Sequence, residues 1–224
     1  MSKPRVLYED NHLLVLEKPN NWLVQGDQTG DGTLTDWGTE YIRKKYNKPG
    51  NVFCQPCHRL DRPVGGVIVF ARTSKALERM NKLFRDGEVK KTYLALVQGV
   101  PKKDEDTLVH WLEKDEQRNT VNAYDKQKGK SKRAELSYSM LATINGISLL
   151  KIKPITGRSH QIRVQMRKLG CSIKGDLKYG YPHPNADKSI NLHSYQLAFI
   201  HPVKKENMAF TSKPDWQEYN HFIK

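Results

Sequence analysis

Apolar and polar positions follow short, regular periods along much of this chain, and those periods predict its elements. Val6–Tyr8 and Leu13–Leu16 flank Asp10-Asn11 as the two strands of a hairpin that ends at Lys18-Pro19. Thr33 and Asp36 form a Thr-x-x-Asp capping box. Leu34, Trp37, Tyr41 and Lys45 follow at helical spacing, which predicts a helix over about 33–46. Val67–Ala71 is wholly apolar, as expected of a strand buried on both faces. A second helix is expected over about 74–85, with Leu77, Met80 and Phe84 on one face and Lys75, Arg79 and Lys82 on another. Thr92–Gln98 alternates as a strand.

The later chain is read the same way. Residues 101–133 are polar and charge-dense, with weak strands expected near 108–112 and 121–124; Lys126, Lys128, Lys130 and Lys132 suggest a mobile basic hairpin tip. Leu136–Met140 and Ile147–Ile152 form a strand pair around Asn145-Gly146, a strong hairpin signal. A third helix is expected over about 158–169, with Ile162, Met166 and Leu169 buried and Gly170 as its stop. Tyr195–Ile200 alternates as a strand, and a short helix follows Pro214. With no repeat and no linker-like stretch, this describes a single α+β domain over 1–224. Its central sheet is mixed and mainly antiparallel, flanked by helices, with a basic polar insertion at about 101–133.

Composition narrows the partners. The 224 residues are 37% hydrophobic with 15 glycines besides, close to the usual globular share, which excludes disorder of the whole chain. Lys+Arg number 38 against 24 Asp+Glu, a net charge of +14, which points to a polyanion: nucleic acid or an anionic membrane surface. Residues 1–50 balance seven basic against seven acidic side chains, whereas 151–178 carry eight Lys/Arg and one acid, Asp176. Glu9, Asp10 and Glu17 interrupt any signal-peptide core, and no apolar run approaches the roughly 18 residues that span a bilayer. Cys54, Cys57 and Cys171 then read as reduced thiols of a cytoplasmic protein.

Candidate chemistry is uneven. Cys54-x-x-Cys57-His58 matches c-type haem attachment, but that attachment occurs outside the cytosol; a zinc site would need a second ligand pair. Two free thiols, buried or half-buried, are the simpler reading, with no metal and no cofactor. Four segments carry more. His58-Arg59-Leu60-Asp61-Arg62 places a carboxylate between two arginines at the mouth of the apolar strand; an ordinary loop ion pair is the bland alternative. Lys90-Lys91-Thr92-Tyr93 is a basic strand entry followed by a phenol that could as well be core. Pro154 through Arg163 leads from a strand end into the third helix, where His160, Arg163 and Arg167 share a face and, with Arg158, suit a phosphate or carboxylate. Leu192-His193-Ser194 through Leu197, Phe199, His201 and Pro202 reads as a core strand with a polar entry.

Together these segments resemble the RluA family of pseudouridine synthases over roughly residues 6–212, in the family's order and without the S4-type RNA-binding domain of some relatives. His-Arg-Leu-Asp at 58–61 is the family's signature; RsuA-type relatives carry Gly in its first place. The resemblance implies Asp61 as catalytic aspartate, Tyr93 as active-site tyrosine, Arg163 as the basic partner that keeps Asp61 ionised, and Leu197 as an apolar residue near the target base. His58, Arg59, Arg62, Arg158 and His160 are expected to bind substrate, with Arg59 filling the place of a flipped-out nucleotide. Gly175-Asp176 and Tyr179-Gly180 match a further family element, expected to be structural. Two departures stand out. Arg62-Pro63-Val64-Gly65-Gly66 replaces Arg-x-Thr-Ser-Gly, and Asn20-Asn21-Trp22 follows Lys18-Pro19 where relatives carry a small residue and Gly. The implied activity is isomerisation of uridine in a stem-loop of rRNA or tRNA by a monomer needing neither metal nor membrane. A non-catalytic RNA-binding protein of the same fold, or a charge-driven DNA or membrane binder, is the alternative.

Overall fold

The computed structural model describes residues 2–27 and 30–223. The chain forms two compact units, Met1–Lys91 with Ser194–Lys213, and Thr92–His193 with Pro214–Lys224.

In the first unit, β1 (Arg5–Glu9) and β2 (Leu13–Lys18) form the expected hairpin. Asp10 closes it, its Oδ1 accepting the N–H groups of His12 and Leu13, each at 2.8 Å. Next to β2 runs β4 (Gly65–Ala71), antiparallel to it; the two-residue β3 (Gln55–Pro56) also pairs with β4. The order continues from β4 to β10 (Leu192–Ile200), on which β11 (Asn207–Thr211) pairs antiparallel. Every residue of β4 is buried because helices cover both of its sides. On one side Ala76 and Met80 of α2 (Ser74–Arg85) pack with Leu13, Val15, Val67 and Val69. On the other lies α1 (Leu34–Lys45), whose Gly38 lets the helix approach Leu14 and Cys54 closely. The capping box is formed: Asp36 N–H donates to Thr33 Oγ1, and Thr33 N–H to Asp36 Oδ2, each at 3.1 Å.

The second unit is an antiparallel sheet in the order β5-β9-β8-β6-β7. Its strands are β5 (Lys90–Gln98), β6 (Glu105–Asp115), β7 (Thr120–Tyr124), β8 (Lys132–Ile144) and β9 (Ile147–Pro154). Asn145 and Gly146 turn between β8 and β9 with φ of 50° and 75°, as a two-residue hairpin of this twist requires. Residues 101–133 thus supply β6, β7 and the turn into β8. β6 is longer than the expected 108–112 because only Leu108, His110 and Leu112 turn inward, and its charged outer face dilutes the apolar signal.

The third helix also differs. α3 (Gln161–Lys168) begins three residues after the expected 158. Gln161 holds the preceding segment in a turn: its Oε1 accepts from Thr156 Oγ1 at 2.7 Å and from Arg158 N–H at 3.0 Å. His160 sits in the left-handed region at φ 49°, which no helix can pass through. Gly170, at φ 83°, ends the helix as expected. A 3-10 turn (Leu177–Tyr179) and α4 (Tyr219–Phe222) complete the unit. The fold class is α+β, as read from the sequence.

Candidate active site

The signature loop is held from several directions in the first unit. His58 Nε2 accepts the Val69 N–H at 3.2 Å, and its ring stands 4.8 Å from Phe84. Enclosure pushes the imidazole pKa down to about 3, with the Lys91 charge adding to it, so the ring is neutral and carries its proton on Nδ1. Asp61 opens a turn closed by Val64 N–H donating to Asp61 O at 3.0 Å. Beneath that turn lies Lys18, only 1% exposed, donating Nζ to Val64 O at 2.7 Å, Arg62 O at 3.0 Å and Pro19 O at 3.2 Å. Burial pulls the Lys18 pKa down to about 7, against the opposing pull of the Asp61 carboxylate. In the sequence Lys18 is one lysine among many, and the Lys-Pro pair at the strand end is its signal.

Both sequence departures fit this loop. Asn21 takes φ 66°, a conformation glycine adopts most readily, and its N–H donates to Arg62 O at 2.8 Å. Val64, in place of Thr, is buried, and brings no hydroxyl that would need a partner there. Gly66 must stay glycine: at φ 113°, a Cβ there would meet the Ser194 carbonyl oxygen at 2.3 Å. Arg59 is exposed, and Arg62 pairs with Asp31 at 2.8 Å. Leu197 is fully buried among Val67, Val69 and Phe199, a core position in this structure. Cys54 and Cys57 are buried free thiols; burial pushes Cys54 up to about 12 and Cys57 upward as well. No group of three potential metal ligands occurs among the described residues.

In the second unit, Tyr93 stands on β5 opposite Ile152 of β9, half-buried. Arg163, on the first turn of α3, is 6% exposed and grips Asp176 with two parallel bonds, Nε to Oδ2 at 2.7 Å and Nη2 to Oδ1 at 2.8 Å. His160 Nδ1 lies 2.7 Å from Tyr179 Oη. Arg158 is exposed and donates Nε to Arg133 O at 3.2 Å. Arg167, expected on the face of His160 and Arg163, is exposed, whereas Arg163 is buried. Asp176, expected to be structural, is buried and is the carboxylate in the arginine's grip, and the Gly-Asp-x-x-Tyr-Gly element is its signal in the sequence.

The chain matches the family model of RNA pseudouridylate synthase over residues 12–168. It is 34% identical over 214 residues to the dual-specificity RNA pseudouridine synthase RluA of Haemophilus influenzae, covering 94% of this chain and 93% of that one. It is 35% identical to the ribosomal large subunit pseudouridine synthase C of Buchnera aphidicola subsp. Acyrthosiphon pisum, covering 96% of this chain and 69% of that one. The human RNA pseudouridylate synthase domain containing 4 shares its fold, with a TM-score of 0.78 at 23% identity over 97% of this chain and 91% of that one. The signature loop, the Gly-Asp-x-x-Tyr-Gly element and these matches agree: the chain belongs to the RluA family of RNA pseudouridine synthases.

Proposed function

We propose that this RNA pseudouridine synthase isomerises specific uridines in stem-loops of ribosomal or transfer RNA, working in the cytoplasm as a monomer whose whole length forms one catalytic domain, with Asp61 as its catalytic carboxylate. The C1′–N1 bond breaks, the uracil turns, and C1′ joins C5; N1 gains a proton and C5 releases one. Nothing is oxidised and no group is added, so the reaction balances without a cofactor. Asp61 acts at the sugar or the base edge, and Arg163 is its basic partner. Tyr93 lies against the uracil and helps move the C5 proton. Arg59, exposed and planar, braces the place of the flipped nucleotide. Arg62, Arg158 and His160 complete the substrate side, while His58 serves it by holding the loop and Leu197 by packing in the core behind it.

The observation that carries this reading is the Asp61 turn, tied by Lys18 Nζ to Arg62 O and Val64 O and by Asn21 N–H to Arg62 O. Such a turn fixes a carboxylate against solvent-driven rearrangement, as positional catalysis requires. The test is tritium release from ribosomal and transfer RNA transcripts labelled with [5-³H]uridine. Wild type releases tritium; Asp61→Asn releases none under single turnover while binding the RNA within a few-fold of wild type, since phosphate contacts dominate affinity. Release by Asp61→Asn ends the assignment.

A further inference from the structure

Arg163 is clamped twice over. Asp176 holds its Nε–Nη2 edge at 2.7 and 2.8 Å, and Tyr179 lies against its face, with Cζ 5.0 Å from the ring centre. Asp176 and Tyr179 are each 1% exposed. A guanidinium held at one edge and one face can neither slide nor rotate. The two clamping residues lie on one short segment, closed by Tyr179 N–H donating to Asp176 O at 3.1 Å. That segment is fixed in turn: Tyr179 Oη accepts the Val121 N–H at 2.9 Å, Lys178 Nζ donates to Asn119 O at 3.0 Å, and Ser172 Oγ donates to Tyr179 O at 2.9 Å.

A buried ion pair is a weak source of stability, because desolvation offsets most of its attraction and apolar residues of the same volume do as well. Its use here is geometric. We infer that Asp176 and Tyr179 are positioning residues for Arg163, setting the guanidinium that partners the catalytic carboxylate, and that the β6–β7 hairpin takes part through the Val121–Tyr179 bond. This rests on the reading of Arg163 as the partner of Asp61.

The test uses the full chain and single-turnover tritium release from [5-³H]uridine-labelled ribosomal and transfer RNA transcripts, with RNA affinity and thermal midpoint measured alongside. Arg163→Met comes first: if it keeps the wild-type rate, the underlying reading fails, whatever Asp176 does. With Arg163→Met slow, Asp176→Asn lowers the saturated rate about 100-fold without weakening RNA binding, the loss expected of a misplaced catalytic group. Asp176→Glu restores part of that rate. Tyr179→Phe keeps the ring but removes the hydroxyl that meets both the Val121 N–H and His160 Nδ1, and it lowers the rate about 3- to 10-fold, as loss of these hydrogen bonds implies. In an Arg163→Lys background, Asp176→Asn adds at most about 3-fold, because residues acting as a unit lose function together. Wild-type rates in Asp176→Asn and Tyr179→Phe, with Arg163→Met slow, overturn the inference. Full multiplication of the effects in the Arg163→Lys background overturns it too, since Asp176 would then act through the fold and not through Arg163.

Discussion

The His58 imidazole accepts the Val69 N–H only while Nε2 is unprotonated, and its pKa is pushed down to about 3. The unfolded chain carries an ordinary histidine near 6.5, so from about 6.5 down to about 3 it binds a proton that the folded state refuses. The contribution of His58 to stability is therefore complete above pH 6.5 and is lost as pH falls through that window. For a half-buried ring, partly screened by solvent, about 1 kcal/mol is expected to vanish between about pH 7 and 5.5. Urea unfolding at those two pH values checks it: wild type should lose about 1 kcal/mol more than His58→Gln over the interval. The signature's first letter was legible in the sequence, but its job was not. A histidine beside a catalytic motif reads as a substrate ligand until the strand N–H on its Nε2 is known.

Elements whose instructions are local were legible. The capping box of α1, the Asn145-Gly146 turn and the unbroken apolar run of β4 each state their geometry within a few residues. The start of α3 was not, because it depends on Gln161 reaching back to Thr156 and to Glu135 O at 3.0 Å. The β7–β8 turn belongs to the legible class. Lys126, Lys128 and Lys130 are exposed on it, Lys132 begins β8, and Lys128 N–H donates to Ser131 Oγ at 2.9 Å to shape it. These lysines lie far in sequence from the signature loop, and the proposed function gives them phosphate contacts and no chemistry. Replacing all four with Gln should weaken RNA binding at least about tenfold at physiological salt while the saturated single-turnover rate stays within about 2-fold of wild type. A steep fall in that rate with affinity intact would place the turn in the chemistry.

At the scale of the whole molecule, the net charge of +14 announced a polyanionic partner, but not what is done to it. The reaction was legible only through the signature residues; the Gly-Asp-x-x-Tyr-Gly element marked Asp176, but its pairing with Arg163, 13 residues away along the chain, is visible only in the structure. Of the other seven basic residues in 151–178, Lys168 pairs with Asp125 and Lys174 with Glu218, and for the remaining five RNA phosphates are the natural complement. Each phosphate neutralised releases a condensed counterion and adds about 0.7–0.9 to the slope of log affinity against log salt. Binding of an RNA stem-loop should therefore weaken steeply as salt rises. Asp61→Asn should follow the same slope as wild type, because a carboxylate at the reacting base neutralises no phosphate. The four-lysine variant should follow a slope shallower by about 3, if each lysine meets one phosphate. Fluorescence anisotropy of a labelled stem-loop across a salt series, with the three proteins side by side, gives all three slopes. Parallel lines for all three would remove the lysine turn from the RNA interface, and a flat wild-type line would remove electrostatics as the source of affinity.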